Sequence, residues 1–218
     1  MKTALVCVVT GAIYEKFAEA LFASAEQFFR PTKEVELLMF EGRPGWPEAT
    51  MYRHHTLRDH FPDADLVFLS DADMLFVSDV GVGVLGGSGV TATLHPGFVH
   101  SKSKPFERNP RSATYLPPHY EGPYYCGGFV GGAHNAMLDL STQIAAIIDA
   151  DRSIGLTPVW HDESALNRTL AFSQPEVVLS PAYCYPADDS WYRTVWPEQY
   201  EAKLIALDKT EEQRAGRD

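Results

Sequence analysis

The sequence predicts a layered α/β domain with parallel strands. In its first 70 residues, apolar segments of strand length alternate with amphipathic segments of helix length, which is the pattern of βαβ units. Residues 66–69 are continuously apolar, as expected for a strand buried on both faces. The 218 residues show no repeat, linker or low-complexity segment, so we expect a single domain over residues 1–218, long enough for a substantial core.

The individual elements follow from apolar spacing and from the glycine and proline residues that bound them. Gly11 closes the first strand, Pro31 ends the first helix, and Pro62 and Pro175 follow later helices. In chain order the predicted elements are strand 3–10, helix 13–29, strand 35–40, helix 48–60, strand 66–69, extended segment 74–80, strand 90–94, helix 138–148, helix 165–172 and strand 177–179.

A glycine-rich segment at 81–86 (GVGVLG) matches the dinucleotide-binding fingerprint letter for letter. That fingerprint must open a helix, with an acidic residue about 20 positions further on. Here Gly87, Ser88, Gly89 and the strand-like segment 90–94 follow instead. We therefore reject a dinucleotide oxidoreductase and interpret 81–86 as a flexible connection.

Two further segments are irregular in composition. Residues 95–125 are rich in proline, serine, tyrosine and charge, and loops of this length inside a compact domain are usually functional. Residues 124–132 (YYCGGFVGG) set aromatic residues between paired glycines. These glycines indicate either close approach of a ligand to the backbone or an ordinary bulge.

Asp71 and Asp73 directly follow the apolar strand 66–69. Side chains two apart on an extended backbone point to the same side, and the cleft of an α/β sheet opens at the carboxyl ends of its strands. Divalent cations take ligands from carboxylates and from substrate phosphates. The pair therefore predicts a metal–diphosphate site, with a solvated turn as the alternative.

The Asp-Ala-Asp pattern is not specific by itself, because it recurs at 63–65 and 149–151. The first recurrence precedes a strand and the second ends a helical pattern. Only the middle copy, at 71–73, is predicted at the carboxyl end of a strand, where a cleft opens.

Overall composition excludes some classes of protein. A formal net charge of -11 argues against nucleic acid as a partner, because the phosphate backbone requires clustered Lys and Arg. Cys7, Cys126 and Cys184 are far apart and odd in number, which is a poor disulfide framework. No segment has the pattern of a signal peptide or the length to span a membrane. We expect a soluble, cytoplasmic protein.

Residues 160–164 (WHDES) place two acids at the predicted start of a helix. The positive end of the helix dipole favours ionised carboxylates there. Asp162 and Glu163 therefore suit a base, a nucleophile, or a group that stabilises positive charge on a sugar ring. The alternative is that both are helix caps. The two-histidine helix motif of metalloproteases is absent.

Several motifs in series resemble those of glycosyltransferase family 6, which contains the blood-group A and B transferases and the α-1,3-galactosyltransferases. They occur in the order and with the spacing of that family. The segments are 46–53 (WPEATMYR), 68–76 (FLSDADMLF), 94–99 (LHPGFV), 124–132 (YYCGGFVGG), 160–166 (WHDESAL) and 179–184 (LSPAYC).

The resemblance implies a GT-A fold with a mixed, mainly parallel central sheet. It also implies retaining transfer of galactose or N-acetylgalactosamine from a UDP-sugar to the 3-hydroxyl of a galactoside, with Mn²⁺, or Mg²⁺, as cofactor. Position by position it implies metal binding by Asp71 and Asp73 (the DXD motif) and a candidate catalytic nucleophile in Glu163. The implied acceptor-binding residues are His95, Trp160 and Glu163. The implied donor-binding residues are Tyr14, Arg53, Asp71, Cys126, Gly127, Gly128, Asp162, Lys209 and Arg214.

Further expectations concern specificity and the chain ends. Gly128 leaves room for an N-acetyl group, which favours UDP-N-acetylgalactosamine over UDP-galactose. The implied acceptor ends in galactose, with or without fucose. Residues 206–218 are expected to form a mobile tail that closes over the diphosphate. The chain begins at the catalytic region, unlike the anchored animal enzymes, so the resemblance is to a short soluble bacterial or viral type.

Two other classes remain for comparison. A glycan-binding protein of the same fold without turnover is the main alternative, although the acidic pair and Glu163 argue against it. A nucleotidyltransferase that forms sugar nucleotides would need a glycine-rich, basic loop after the first strand, and Gly11-Ala12-Ile13 is not such a loop.

Overall fold

The computed structural model describes residues 1–189 and 200–208. Its strands are β1 (Lys2–Val9), β2 (Glu34–Glu41), β3 (Leu66–Ser70), β4 (Met74–Phe76), β5 (Val90–Leu94), β6 (Tyr125–Ala133), β7 (Val177–Leu179), β8 (Tyr185–Pro186) and β9 (Leu204–Ala206). Its helices are α1 (Gly11–Phe28), α2 (Glu48–Met51), α3 (Arg53–Asp59), α4 (His134–Ser153) and α5 (His161–Phe172). Within these residues, no helix combines the length and the apolar character needed to cross a membrane.

The central sheet has six strands in the order β2-β1-β3-β6-β5-β7. Strand β1 pairs in parallel with β2 and β3, and β5 pairs in parallel with β7. Strand β6 is antiparallel to both of its neighbours, β3 and β5. In this sheet, β6 alone runs against the other strands, which confirms the predicted α/β class with a mixed, mainly parallel sheet. A smaller sheet has the order β4-β9-β8.

The core lies on both faces of the central sheet. Every residue of β3 is buried. Leu66 and Phe68 pack into the cluster beneath α1, whereas Val67 and Leu69 pack into the cluster beneath α3, α4 and α5. This alternation is the strand period of two, and it confirms that β3 is the doubly buried strand that the apolar run predicted.

Gly131 of β6 allows this strand to lie against the aromatic residue of β3, Phe68. Gly131 pairs with Phe68, and a Cβ atom at Gly131 would lie 2.1 Å from the Phe68 ring. The Phe68 ring stacks on Phe129 with a centroid separation of 5.3 Å. Gly131 is therefore required by packing, since any side chain there would displace the ring from the core.

Several element boundaries differ from the sequence prediction, including that of α5, which begins at His161 and not at residue 165. The predicted helix 48–60 breaks at Tyr52, so that Ala49 of α2 lines a cleft while Leu57 of α3 packs in the core. The segment 74–80 is a strand only as far as Phe76. Helix α4 is longer than the predicted segment 138–148. It begins at His134 and ends at Ser153.

The glycine-rich segment does not open a helix, in agreement with the rejection of the dinucleotide fingerprint. A 3₁₀ turn at Val82–Val84 and a loop follow instead. The backbone N–H groups of Gly87, Ser88 and Gly89 donate to the Glu176 carboxylate at 2.7, 3.0 and 2.6 Å. Consecutive N–H groups of this kind form an anion-binding nest, and here a carboxylate of the same chain fills it.

Candidate active site

The Asp-Ala-Asp segment that follows β3 forms a turn. Strand β3 ends at Ser70, and the Met74 N–H donates to the Asp71 carbonyl at 3.3 Å. The segment is therefore not extended, and the prediction that an extended backbone points its alternate side chains to one side is wrong here. Both carboxylates nevertheless line the same cleft, because the turn presents them at the carboxyl end of β3. Two backbone bonds fix the turn: Asp71 N–H to Gly128 O at 3.0 Å and Leu207 N–H to Asp73 O at 2.8 Å.

This cleft encloses about 240 Å³ at the carboxyl edge of the central sheet. Most residues that the sequence indicated converge on it. The lining residues are Val8, Thr10, Tyr14, Trp46, Ala49, Thr50, Arg53, Asp71, Ala72, Asp73, Gly127, Trp160, His161, Asp162 and Glu163. Four of them carry carboxylates and one a guanidinium, so among these residues acidic groups dominate.

Arg53 connects three separate parts of the cleft wall. Its side chain is 8% exposed, its Nε donates to Asp162 and its Nη1 donates to Asp71. Its Nη2 donates to the Gly127 carbonyl at 3.0 Å. A guanidinium suits this role because its donors form a rigid fork. The contacts with Asp162 and Asp71 raise the pKa of Arg53 against the effect of burial, so it stays charged.

The Gly127 peptide lies in an irregular part of β6. The pairing of β5 with β6 shifts between Ala92 and Thr93, whose partners are Val130 and Cys126. Residues 127–129 are therefore released from regular pairing on that side, which is a β-bulge. The released Gly127 donates its N–H to Glu163 Oε2 at 3.0 Å and accepts from Arg53 through its carbonyl. The paired glycines thus mark a bulge that binds two side chains of the site.

Glu163 lies in the first turn of α5, where the helix dipole favours a negative charge. Its Oε1 accepts from the Tyr124 hydroxyl at 2.9 Å. Asn167, one turn later, bonds the Tyr125 N–H and carbonyl, each at 2.8 Å, and so ties α5 to β6. Burial raises the pKa of Glu163 to about 7, against the lowering effect of Gly127 and Tyr124. The side chain can therefore exchange a proton near neutral pH.

Asp162 is buried beside Glu163 and is only partly satisfied. Its Oδ2 accepts from Arg53, whereas its buried Oδ1 has no hydrogen-bond partner among the described residues. Burial raises the pKa of the Asp162 carboxyl, and Arg53 opposes that rise. An unpaired buried acceptor at the wall of a cleft is costly, and a ligand hydroxyl would satisfy it.

Of the other predicted site residues, Cys126, Gly128 and His95 do not line the cleft. Trp160 lines the cleft and is 48% exposed. Cys126 is buried in the core, and a Cβ atom at Gly128 would lie 3.7 Å from Asp71 Oδ2. His95 is not a lining residue; its Nδ1 accepts from the Gly97 N–H at 3.0 Å, and burial lowers its pKa to about 4. Lys209 and Arg214 fall outside the described residues.

Sequence reasoning missed two aromatic residues of the cleft. Trp46 is 46% exposed at the rim, and the His161 ring packs edge-on against it at 4.6 Å. His161 adopts a φ of 52°, an uncommon left-handed conformation for a non-glycine residue. The only available signals were that Trp46 begins the motif ending at Arg53 and that His161 separates Trp160 from Asp162.

The acidic turn fits part of a divalent-cation site. The Asp71 and Asp73 side chains both line this cleft, beside the diphosphate side of the proposed donor site. Among the described residues, no three His, Cys, Asp or Glu side chains are grouped closely enough to hold a metal alone. Two carboxylates plus substrate phosphates form a usual ligand set for Mg²⁺-like ions, so the residues fit a cation that arrives with a diphosphate.

The fold and the cleft together define a class of protein. A mixed α/β sheet, with the Asp-Ala-Asp turn and two helix-borne carboxylates at its carboxyl edge, matches a GT-A-like glycosyltransferase fold. The family model for glycosyltransferase family 6 matches residues 26–206. The chain belongs to glycosyltransferase family 6.

Curated relatives agree with this family. The rat "Histo-blood group ABO system transferase 1" is 32% identical over 203 residues, which cover 79% of this chain and 58% of the relative. The human "Globoside alpha-1,3-N-acetylgalactosaminyltransferase 1" is 29% identical over 203 residues, with coverages of 79% and 58%. The human "Alpha-1,3-galactosyltransferase 2" is 29% identical over 214 residues, with coverages of 84% and 62%. The chain thus spans about three fifths of these relatives.

Proposed function

We propose that this protein is a retaining, metal-dependent glycosyltransferase. It moves N-acetylgalactosamine, or galactose, from a UDP-sugar to the 3-hydroxyl of a β-galactoside and forms an α-1,3 linkage. The observation that carries the proposal is the convergence of two carboxylate pairs on one cleft, Asp71 with Asp73 and Asp162 with Glu163. The names of the relatives, which include α-1,3-N-acetylgalactosaminyl and α-1,3-galactosyl transfer, support the linkage and the sugars.

The two acidic pairs have different roles on the donor: one pair acts on the diphosphate and the other on the sugar. Asp71 and Asp73 would hold Mn²⁺ or Mg²⁺, which supplies charge stabilisation on the departing UDP diphosphate. Tyr14, from the first turn of α1, binds the uridine side of the donor. Arg53 orients Asp71 and Asp162 through the contacts described above. Lys209 and Arg214 are proposed to assist at the diphosphate.

Glu163 and Asp162 act on the sugar. The anomeric carbon becomes positive as its bond to the diphosphate breaks, and an ionised Glu163 on the opposite face stabilises that charge or traps the carbon. Asp162 accepts a hydrogen bond from a sugar hydroxyl through Oδ1, the atom that lacks a partner. The buried position of both groups strengthens these interactions, because the surroundings are less polar than water.

The proposed donor preference rests on the absence of a side chain at Gly128. The proposed role of Cys126, Gly127 and Gly128 is to contact the sugar around its 2-substituent. A Cβ atom at Gly128 would lie 3.2 Å from Cys184 Sγ, 3.5 Å from Met74 Sδ and 3.7 Å from Asp71 Oδ2, so a methyl group there would crowd side chains next to the proposed metal-binding turn, whereas glycine does not. We propose UDP-N-acetylgalactosamine as the preferred donor.

The acceptor is proposed to end in galactose, with or without fucose. Trp160 offers an exposed indole face at the cleft, which suits the apolar face of a galactose ring. His95 accepts a backbone N–H at Nδ1, and its lowered pKa keeps the ring neutral above about pH 4. The proton is therefore on Nε2, so His95 offers an N–H donor to an acceptor oxygen.

A product assay tests the function. The protein is incubated with UDP-N-acetylgalactosamine or UDP-galactose and a β-galactoside, with and without a fucose branch, and the linkage and anomeric configuration of the product are determined by NMR. We expect an α-1,3-linked product with the configuration retained. Binding of the glycan without release of UDP would instead support the glycan-binding alternative.

Metal dependence needs its own measurement. Exhaustive chelation should abolish transfer, and Mn²⁺ should restore it. The Asp73→Asn variant should bind Mn²⁺ at least about tenfold more weakly, as read from the spin-resonance signal of free Mn²⁺, since one charged ligand is lost. Asp65→Asn, in the Asp-Ala-Asp copy at the opposite end of β3, is the matched control. Full turnover after chelation would contradict the proposal.

A further inference from the structure

The Tyr124 ring is held by an apolar cluster within the long loop before β6. Tyr124 is 1% exposed and packs with Phe106 and Leu116. Its ring also lies 5.2 Å from Phe98 and 5.7 Å from His95, both edge-on. A ring fixed on several sides has little rotational freedom. The position of the Tyr124 hydroxyl is therefore set by the loop 95–124 and not by the cleft.

That hydroxyl meets Glu163 from one side while the β-bulge meets it from the other. Tyr124 donates to Oε1 at 2.9 Å, and the Gly127 N–H donates to Oε2 at 3.0 Å. With one donor on each oxygen, the plane of the carboxylate is fixed. Both donors stabilise the ionised form in preference to the protonated form.

We propose that Tyr124 is a positioning residue for Glu163: its hydroxyl holds the carboxylate in one orientation and keeps it ionised while the sugar carbon carries positive charge. This inference rests on the proposed glycosyl transfer and deepens it. It gives the apolar cluster of loop 95–124 a function, which is to hold one hydroxyl at hydrogen-bond distance from Glu163. Tyr124 acts through Glu163 and needs no contact with the substrate.

The other charged and titratable groups around Glu163 shift its pKa in opposite directions or stay neutral, which is compatible with an effect of Tyr124. Arg53 of α3 lowers the pKa of Glu163 and the adjacent Asp162 raises it. Cys184, in the 3₁₀ turn Pro181–Cys184, has a raised pKa and is a neutral thiol. Burial and Glu163 raise the pKa of Tyr124, so its hydroxyl keeps its proton and remains a donor over the working pH range.

The Tyr124→Phe variant removes the hydroxyl and keeps the ring. Loss of a hydrogen bond to a charged group corresponds to a pKa rise of roughly 1 to 2 units in Glu163. The acid limb of the rate profile, expected near the wild-type pKa of about 7, should move upward by that amount. The rate at pH 7 should fall roughly 5- to 50-fold and recover at alkaline pH, while KM for both substrates stays near the wild-type value.

Tyr120→Phe is the matched control, because the Tyr120 ring packs on Phe106 in the same loop cluster. It should leave the acid limb in place. Phe98→Leu loosens the packing around Tyr124 without removing the hydroxyl, and it should shift the limb in the same direction by a smaller amount. It also keeps the inference testable if Tyr124→Phe folds poorly.

The deciding experiment titrates Glu163 directly, so that it does not depend on transfer. Infrared difference spectra against Glu163→Gln give the carboxyl titration in the wild-type protein, Tyr124→Phe, Phe98→Leu and Tyr120→Phe. The inference is supported by an upward shift of the Glu163 titration in Tyr124→Phe and Phe98→Leu and by no shift in Tyr120→Phe. This holds even if no sugar transfer is detected and the proposed function fails. Active wild-type enzyme with an unshifted titration and an unshifted acid limb in Tyr124→Phe would overturn it.

Discussion

Arg53 and Asp162 form a buried ion pair across 109 positions of sequence. Their side chains are 8% and 1% exposed, and the same guanidinium also binds Asp71. Arg53 thus connects α3, the turn after β3 and the first turn of α5. The cleft depends on this arrangement, because the two carboxylates that it binds belong to the two proposed halves of the site.

Removing Arg53 should therefore affect both folding and transfer. Arg53→Ala leaves Asp162 buried without its partner, which costs about 3–5 kcal/mol of unfolding free energy. Arg53→Lys keeps the charge but not the fork geometry, so we expect a smaller loss of stability and a similar loss of activity. Urea denaturation and the UDP-release assay measure the two effects.

Arg58→Ala is the control for Arg53. Arg58 pairs with the adjacent Asp59 at the surface, with side chains 33% and 56% exposed, and its loss should cost less than about 1 kcal/mol. Equal stabilities for Arg53→Ala and Arg58→Ala would contradict a structural role for the buried pair.

Glu163→Gln should remove activity and increase stability at alkaline pH. The folded-state pKa of Glu163 is raised from 4.5 to about 7, so the protonated form favours folding. That contribution is fully present below about pH 4.5 and is lost as the pH rises to about 7. Gln is neutral at every pH and can still accept from Gly127, so it should be more stable than the wild-type protein above pH 7.

Denaturation curves at several pH values check this prediction. The gap between Glu163→Gln and the wild-type protein should be small near pH 4.5 and reach roughly 1–3 kcal/mol by pH 8. A gap that does not change with pH would mean that Glu163 titrates at an ordinary pKa.

Gly128→Ala should shift donor preference toward galactose. The new methyl group would lie 3.2 Å from Cys184 Sγ and 3.7 Å from Asp71 Oδ2, so it would press on side chains beside the proposed donor site and reduce the room for an N-acetyl group. A methyl-sized change in a pocket corresponds to roughly 10- to 200-fold in discrimination. The ratio of kcat/KM for the two UDP-sugars measures the shift.

Gly83→Ala provides the comparison for Gly128, because a Cβ atom at Gly83 meets nothing within 4 Å. Its donor ratio should stay unchanged. If Gly128→Ala transfers both sugars in the wild-type ratio, the 2-substituent does not occupy this space.

Glu176→Gln should make the protein less stable at neutral pH and less sensitive to acid. The N–H groups of Gly87, Ser88 and Gly89 lower the pKa of Glu176. A lowered folded-state pKa contributes stability above the unfolded-state value of about 4.5, and that stability is lost as the pH falls through the folded-state value.

Amide hydrogen exchange at residues 87–89 reports on this loop directly. Exchange should become faster in Glu176→Gln and stay unchanged in Glu19→Gln, on the exposed face of α1. Unchanged protection at 87–89 in Glu176→Gln would show that these N–H groups do not depend on the carboxylate.

Much of the fold was predictable because its signals are local. The period-two burial of β3, the helical spacing of α1 and the glycine and proline boundaries each depend on a few neighbouring residues. The position of Asp71 and Asp73 beyond β3, and of Asp162 and Glu163 in the first turn of α5, followed from the same patterns. The break at Tyr52 had no such signal, since both halves of the segment have ordinary helical composition.

The sequence by itself determined the α/β class, the family resemblance and the two acidic pairs, because apolar period and short motifs are written in consecutive residues. Only the tertiary structure decided which partners these acids have. Arg53 reaches Asp162, Gly127 opens from β6 as a bulge, and Tyr124 reaches Glu163. These contacts join residues 36 to 109 positions apart. The contacts of Tyr124 and Gly127 with Glu163 depend on where the start of β6 lies in the sheet, which no local pattern specifies.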